Sequence, residues 1–171
     1  MDKQDSIRHV FVVGLRNAHA LEHQALALMD RQIEHLAQYA EVEAKLRSHR
    51  GETERQIERL ETILDGLGES HSTVKDVAMT LSGNLAALGH TFAPDEILKN
   101  SFANFAFENF EAASYKALIL MAEEGGFNDA VPLLKETLAE ELAMVTFLDE
   151  MLPMVVQKYL SLRAAGEQAS H

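Results

Sequence analysis

Residues 46–67 read LRSHRGETERQIERLETILDGL. Leu46, His49, Thr53, Gln56, Leu60, Ile63 or Leu64, and Leu67 recur at three- and four-residue steps, the period of one face of an α-helix. Among the leucines of this stripe stand His49, Thr53 and Gln56. Glu52 lies about 60° from His49, beside Ile63, while Glu54, Glu58 and Glu61 turn to the opposite side. Glu52 is therefore the one acid of this helix expected within reach of a core. Gly66 and Gly68 supply its C-terminal stop.

A helix of this kind needs partners, and the chain supplies three. Upstream, Asp5 or Ser6 caps a helix that runs without Gly or Pro from about Gly14 to Tyr39. The break before the second helix, near residues 38–42, carries no Gly or Pro and is inferred from length alone. Downstream, residues 68–93 are rich in Ser, Thr, Gly and Asn and hold a short helix near 74–88. That is long for a link between packed helices and suits a crossover. Pro94 with Asp95 and Glu96 opens a third helix, which stops at Gly125 and Gly126. Pro132 opens a fourth, reaching about Leu162 and bent at Pro153. Two short links and one long one describe an all-α four-helix bundle with a crossover between helices 2 and 3. Residues 1–163 are expected to form this single domain and 164–171 a flexible tail.

Composition narrows the function classes. The chain has 171 residues, no Cys, and a formal net charge of −12. Thiolate metal sites and disulfides are thereby excluded. The acidic balance argues against nucleic acid and anionic membrane as partners. The apolar run from Val10 to Val13 is broken by Gly14 and Arg16, too short for a signal-peptide core, and no stretch approaches a spanning segment. A cytoplasmic protein is expected.

Placing the acids on each helix locates the chemistry. On the first helix Leu15, Leu26, Met29 and Ile33 fall within about 40° of Glu22. On the third, Phe107, Tyr115, Leu118 and Ala122 fall equally near Glu111, with Glu108 at about 60°. On the fourth, Leu134, Val145, Leu148 and Val155 surround Glu141 while Glu140 turns away. Glu22, Glu52, Glu111 and Glu141 thus form a mid-height layer, one per helix, with no Lys or Arg in the stripes. Buried ionised carboxylates without counter-charge cost several kcal/mol each. Two divalent cations would balance four such charges. Carboxylate oxygens suit iron or manganese, with His49 as a nitrogen ligand or a hydrogen-bond partner of one. The other reading is a hydrogen-bonded polar layer that fixes helix register. Glu108 is either a bridging ligand or, the preferred placement, an edge acid. Tyr115 is read as core packing, Gln56 as an amide orienting a carboxylate, and His19 as a core-edge residue. Gly51 is read as a place of close helix approach. Phe102, Phe105, Phe107 and Phe110 share no one face, so some pack on the crossover or at a dimer interface.

Four segments carry a resemblance. They are Leu15-Arg-Asn-Ala-His-Ala-Leu-Glu22-His-Gln24, His49-Arg-Gly-Glu52-Thr53-Glu-Arg-Gln56-Ile-Glu-Arg-Leu60, Glu108-Asn109-Phe110-Glu111-Ala112-Ala113-Ser114-Tyr115, and Thr137-Leu138-Ala139-Glu140-Glu141. Together they resemble the YciE/YciF family of the ferritin-like superfamily, from about Val12 to Leu152. The resemblance implies a ferritin-like bundle, a homodimer and an association with stress responses. The sequence departs from the family at two positions: a histidine is Asn109 here, and an acid after Glu141 is Val145. The usual pair of Glu-x-x-His motifs is also absent, Glu52 being followed by Arg55 and Glu141 by Met144. The expected function is a stress-associated metal-binding protein, a di-iron or di-manganese oxidase or peroxide scavenger acting on oxygen or peroxide. The alternative is a noncatalytic structural or interaction module that has lost its metal. Storage of iron in a cage is the weakest reading, since no shell-forming surface is evident.

Overall fold

The computed structural model describes residues 2–71 and 95–170. Within them lie four helices: α1 (Lys3–Ile33), α2 (Ala40–Gly66), α3 (Glu96–Gly125) and α4 (Ala130–Ala165). No strand occurs among the described residues. The short helix expected near 74–88, and Pro94, lie outside them.

Helix α1 begins earlier than its sequence suggested. Asp2, not Asp5 or Ser6, is the N-cap: its carboxylate accepts from Asp5 N at 2.8 Å, and the Asp5 carboxylate accepts from Asp2 N at 3.4 Å. This reciprocal pair satisfies two amides that the first turn leaves unpaired. The α1–α2 break falls at residues 34–39, because Leu36 and Tyr39 turn inward and are buried to 3% and 1% exposure. Tertiary burial places this break where local sequence carries no signal. Gly126 ends α3 with φ 72°, a left-handed conformation that favours glycine. Helix α4 continues through the exposed Pro153.

Arg8 Nη2 donates to Leu67 O, and Gln4 Nε2 donates to Gly125 O, so the start of α1 meets the ends of α2 and α3. Gln56 and Arg59 reach Glu140 and Glu136, which sets α2 antiparallel to α4. Helix α1 packs on α2 and α3, and α4 on α2 and α3. Helices α2 and α3 therefore run the same way on opposite corners. The chain must cross the bundle's length between them, about 40 Å for a helix the size of α2. This is the four-helix bundle with one crossover that the pattern required.

The close helix approach expected at Gly51 is found at Gly14 instead. A Cβ at Gly51 would meet nothing nearer than Arg55 Nη1 at 3.8 Å, so no helix approaches closely there. At Gly14 a Cβ would lie 2.8 Å from Leu118 Cδ2, and this is where α1 and α3 come close.

The tail set aside as flexible is docked. Ala169 and Ser170 are buried. Tyr39 Oη donates to Ala169 O at 2.7 Å, and Ile97 N donates to Ser170 O at 2.9 Å. The last residues thus tie the α1–α2 link to the first turn of α3.

The core is two apolar clusters with a polar layer between them. One holds Phe11, Leu15, Leu60, Leu64, Leu118 and Leu134. The other holds Leu21, Met29, Leu46, Phe107, Met144 and Leu148. Between them in sequence on α2, α3 and α4 sit the buried polar residues His49, Thr53, Gln56, Glu108, Glu111, Thr137 and Glu141, and on α1 the buried Glu22 follows Leu21, near the junction of the two clusters. Among the described residues no helix is long and apolar enough to cross a membrane.

Candidate metal centre

Each helix contributes to this layer from the middle of its apolar stripe. Glu22, Glu111 and Glu141 have exposures of 1%, 1% and 0%. Two groups of ligand atoms form, each within 4.8 Å: Glu22 with Glu111 and Glu141, and His49 with Glu108 and Glu141. Glu141 belongs to both, as a carboxylate bridging two cations would.

Helix α2 presents His49 at the centre rather than Glu52. His49 Nε2 lies 3.2 Å from Glu108 Oε2 and 3.9 Å from Glu141 Oε2, and His49 Nδ1 lies 2.8 Å from Glu52 Oε2. Glu52 is only partly buried and lies 4.0 Å from Lys45 Nζ. The order His49-x-x-Glu52 explains the exchange: one turn of helix carries the acid to the rim, where it fixes the imidazole plane. Glu108, preferred at the edge, is buried at 5% exposure. Its i, i+3 relation to Glu111 puts both carboxylates of α3 inside. Asn109 is exposed, and its amide donates to Phe105 O at 2.7 Å. The family histidine missing at this position would point away from the layer. Met144, where a Glu-x-x-His motif would place histidine, lies in the apolar cluster beyond it.

Tyr115, read as packing, donates a short hydrogen bond to Glu22 Oε1. Gln56 Nε2 donates to Glu140 Oε2 at 3.0 Å. Arg59 donates to both oxygens of Glu140, at 2.7 and 3.0 Å, and to Glu136 at 2.6 Å. These bonds lock α2 to α4 just beside the layer. The guanidinium neutralises Glu140 and does not reach the inner four acids.

Inside, polar atoms are left without donors. Glu22 Oε2, Glu111 Oε1 and both oxygens of Glu141 are buried and lack a hydrogen-bond partner. Such atoms are costly unless something pairs them. Burial pushes Glu22 up to about 8, against the opposing effect of the Tyr115 bond. Burial, reinforced by Glu108, pushes Glu141 up to about 12. Glu111 rises well above the carboxylate range through burial and the charges of Glu22 and Glu141. Burial alone would lower His49, but its bonds to Glu108 and Glu52 outweigh that and lift it to about 9. Glu52 is held below its ordinary value by the bond to His49.

The donor set fits a pair of divalent cations. Four enclosed carboxylates, Glu22, Glu108, Glu111 and Glu141, match +4, and one imidazole with oxygens suits iron or manganese. A groove lined by Met29, Leu46, Asn104 and Phe107 reaches Glu108 from the surface. A further group that could hold a cation, His19, His23 and Glu61, lies outside the layer and was not found from the sequence. The signal was present as the i, i+4 histidine pair on the first helix.

The chain is similar to known proteins over most of its length. A family model described as "Domain of unknown function (DUF892)" matches residues 6–161. Protein YciF of Escherichia coli is 30% identical over 149 residues, covering 81% of this chain and 85% of that protein. A crystal structure of a protein from Xanthomonas campestris pv. campestris matches with TM-score 0.78 and 25% identity, covering 92% of this chain and 99% of that one. The crystal structure of YciF, described as an E. coli stress protein, matches in fold with TM-score 0.73 and 24% identity, covering 85% of this chain and 94% of that one. The resemblance read from the four segments is thereby borne out.

Proposed function

The chain belongs to the DUF892 family and is a homologue of YciF, and from that premise we propose a stress-associated, ferritin-like protein that binds two divalent cations, iron or manganese, in its buried layer. Glu22, Glu108, Glu111, Glu141 and His49 would hold them. The observation that carries this reading is Glu141: it belongs to both ligand groups, and neither of its buried oxygens has a donor. The association with stress comes from YciF, which is called a stress protein.

When bound, a pair of such ions supplies redox chemistry toward oxygen or peroxide. The chain's own residues do the rest. Tyr115 holds Glu22 by its hydroxyl, and Glu52 orients His49. The two apolar clusters exclude bulk water above and below, and the groove at Glu108 admits a small molecule. A homodimer is the working unit in this reading.

A second reading takes the layer as a proton-sharing device that fixes helix register in a noncatalytic module. The His49–Glu108 contact and the raised carboxylates favour it. Metal analysis of tag-free protein, wild type against Glu141→Gln, separates the two. About two ions per chain in the wild type, lost in the variant, support the metal centre. A metal-free wild type that grows more stable on Glu141→Gln supports the second reading. Peroxide consumption by the loaded protein then tests catalysis separately.

A further inference from the structure

Where α1 meets α2, outside the carboxylate layer, histidines gather. His19 and His23 are one turn apart on α1, with ring centroids 4.6 Å apart. From α2, Glu61 Oε1 lies 2.9 Å from His19 Nε2. His71, just past the end of α2, places Nδ1 3.9 Å from the same oxygen. The other nitrogen of His71, Nε2, is 2.7 Å from Asp65 Oδ1. That carboxylate fixes the ring with Nδ1 toward Glu61, as an outer carboxylate does for a metal-ligating histidine.

The group is not an ordinary surface ion pair. His19 is buried at 6% exposure, and its Nδ1 has no hydrogen-bond partner. His19, His23 and Glu61 each bring a ligand atom within 4.8 Å of the others.

We propose that His19, His23 and Glu61, with His71 at the rim, form a second cation site, one that takes a divalent transition metal of the zinc class. The donor set is mainly imidazole with one carboxylate, which zinc accepts in four-coordinate form. The inner layer has the opposite balance, oxygen-rich with one imidazole, so the two sites would sort different metals. They share no ligand, although His19 stands one turn from Glu22. This site rests on its own residues and does not depend on the layer's occupancy.

The test is zinc titration by calorimetry of full-length, tag-free, chelator-washed protein at pH 7.5. Wild type, His23→Ala, Glu61→Gln and Glu141→Gln are compared. His23 is exposed, so its removal leaves the bundle intact, and circular dichroism checks this. Glu141→Gln should retain one zinc per chain, while His23→Ala and Glu61→Gln lose about tenfold or more in affinity. Cobalt(II) in place of zinc should give the visible bands of a nitrogen-rich tetrahedral site in Glu141→Gln and not in His23→Ala. Zinc uptake that is absent from Glu141→Gln, or unchanged in His23→Ala, overturns the proposal.

Discussion

His49 Nε2 lies 3.2 Å from Glu108 Oε2 and so joins α2 to α3 across the diagonal of the bundle. These two helices barely touch otherwise, since each packs on α1 and α4. The two side chains meet where the two apolar clusters part. Replacing His49 with Leu removes this contact and the Glu52 bond together. It also leaves Glu108 enclosed without its partner. Loss of one member of a buried charged pair costs about 3–5 kcal/mol. Chemical denaturation of metal-free protein should show a fall of that order.

Tyr115 ties α3 to α1 through Glu22. Tyr115→Phe keeps the ring in the core and removes only the hydroxyl. The carboxylate then has neither oxygen satisfied, and the metal-free protein should lose about 1–3 kcal/mol. Manganese or iron stoichiometry should be unchanged, because the hydroxyl positions Glu22 and its removal leaves the proposed carboxylate and imidazole ligands in place. Denaturation with metal analysis on the same preparation checks both halves.

Raised carboxylates give the metal-free protein a signed pH dependence. Glu22 is lifted from 4.5 to about 8 and Glu141 from 4.5 to about 12, by burial first in each case. His49 is lifted from 6.5 to about 9, its bonds to Glu108 and Glu52 outweighing burial. A group whose folded pKa is raised stabilises below its unfolded value and loses that contribution as pH rises toward the folded value. Between pH 6.5 and 8 all three act in the same direction. Tm of chelated protein should fall by about 5 °C or more over this window. Saturating manganese should flatten the curve, since cations replace the protons. A Tm that rises with pH in the chelated protein would contradict the enclosed carboxylate layer.

The bundle and its crossover were legible because apolar spacing at 100° per residue and the Gly and Pro stops act locally. Glu22, Glu111 and Glu141 were legible for the same reason, each standing at the centre of its own stripe. What failed lay between helices. Glu52 and His49 differ by one turn, and which of them faces the centre depends on how α2 is rotated against α3. Glu108 looked marginal at 60°, but a bundle with diagonal corners encloses a wider arc of α3. The α1–α2 break depends on Leu36 and Tyr39 finding partners, which spacing cannot show.

Four apolar side chains remain exposed along the outer face of α3. Phe102, Phe105, Phe110 and Leu120 have exposures of 55%, 38%, 51% and 59%. Phe102 and Leu120 share one azimuth, with Phe105 and Phe110 to either side. The homodimer proposed above would bury this stripe. Light scattering should give the wild type twice the 19.0 kDa of one chain. Phe102→Glu with Phe110→Glu should be monomeric with unchanged helicity. A wild type that is already monomeric would remove the homodimer from the functional reading.

The docked C-terminus gives a final expectation. Truncation after Glu167 removes Ala169 O, the acceptor for Tyr39 Oη, and Ser170 O, the acceptor for Ile97 N. Tyr39 is 1% exposed, so its hydroxyl would be left buried and unpaired. An unsatisfied buried donor costs about 1–3 kcal/mol. Ile97 opens the first turn of α3, where amides have no partner within the helix, so its loss adds to the cost. The truncated chain should unfold at lower denaturant with its metal stoichiometry intact, because neither bond lies near the carboxylate layer. Tyr39→Phe in the full chain separates the two contributions: it removes the hydroxyl together with its bond to Ala169 O and keeps the Ile97 bond, so it should be less destabilising than the truncation.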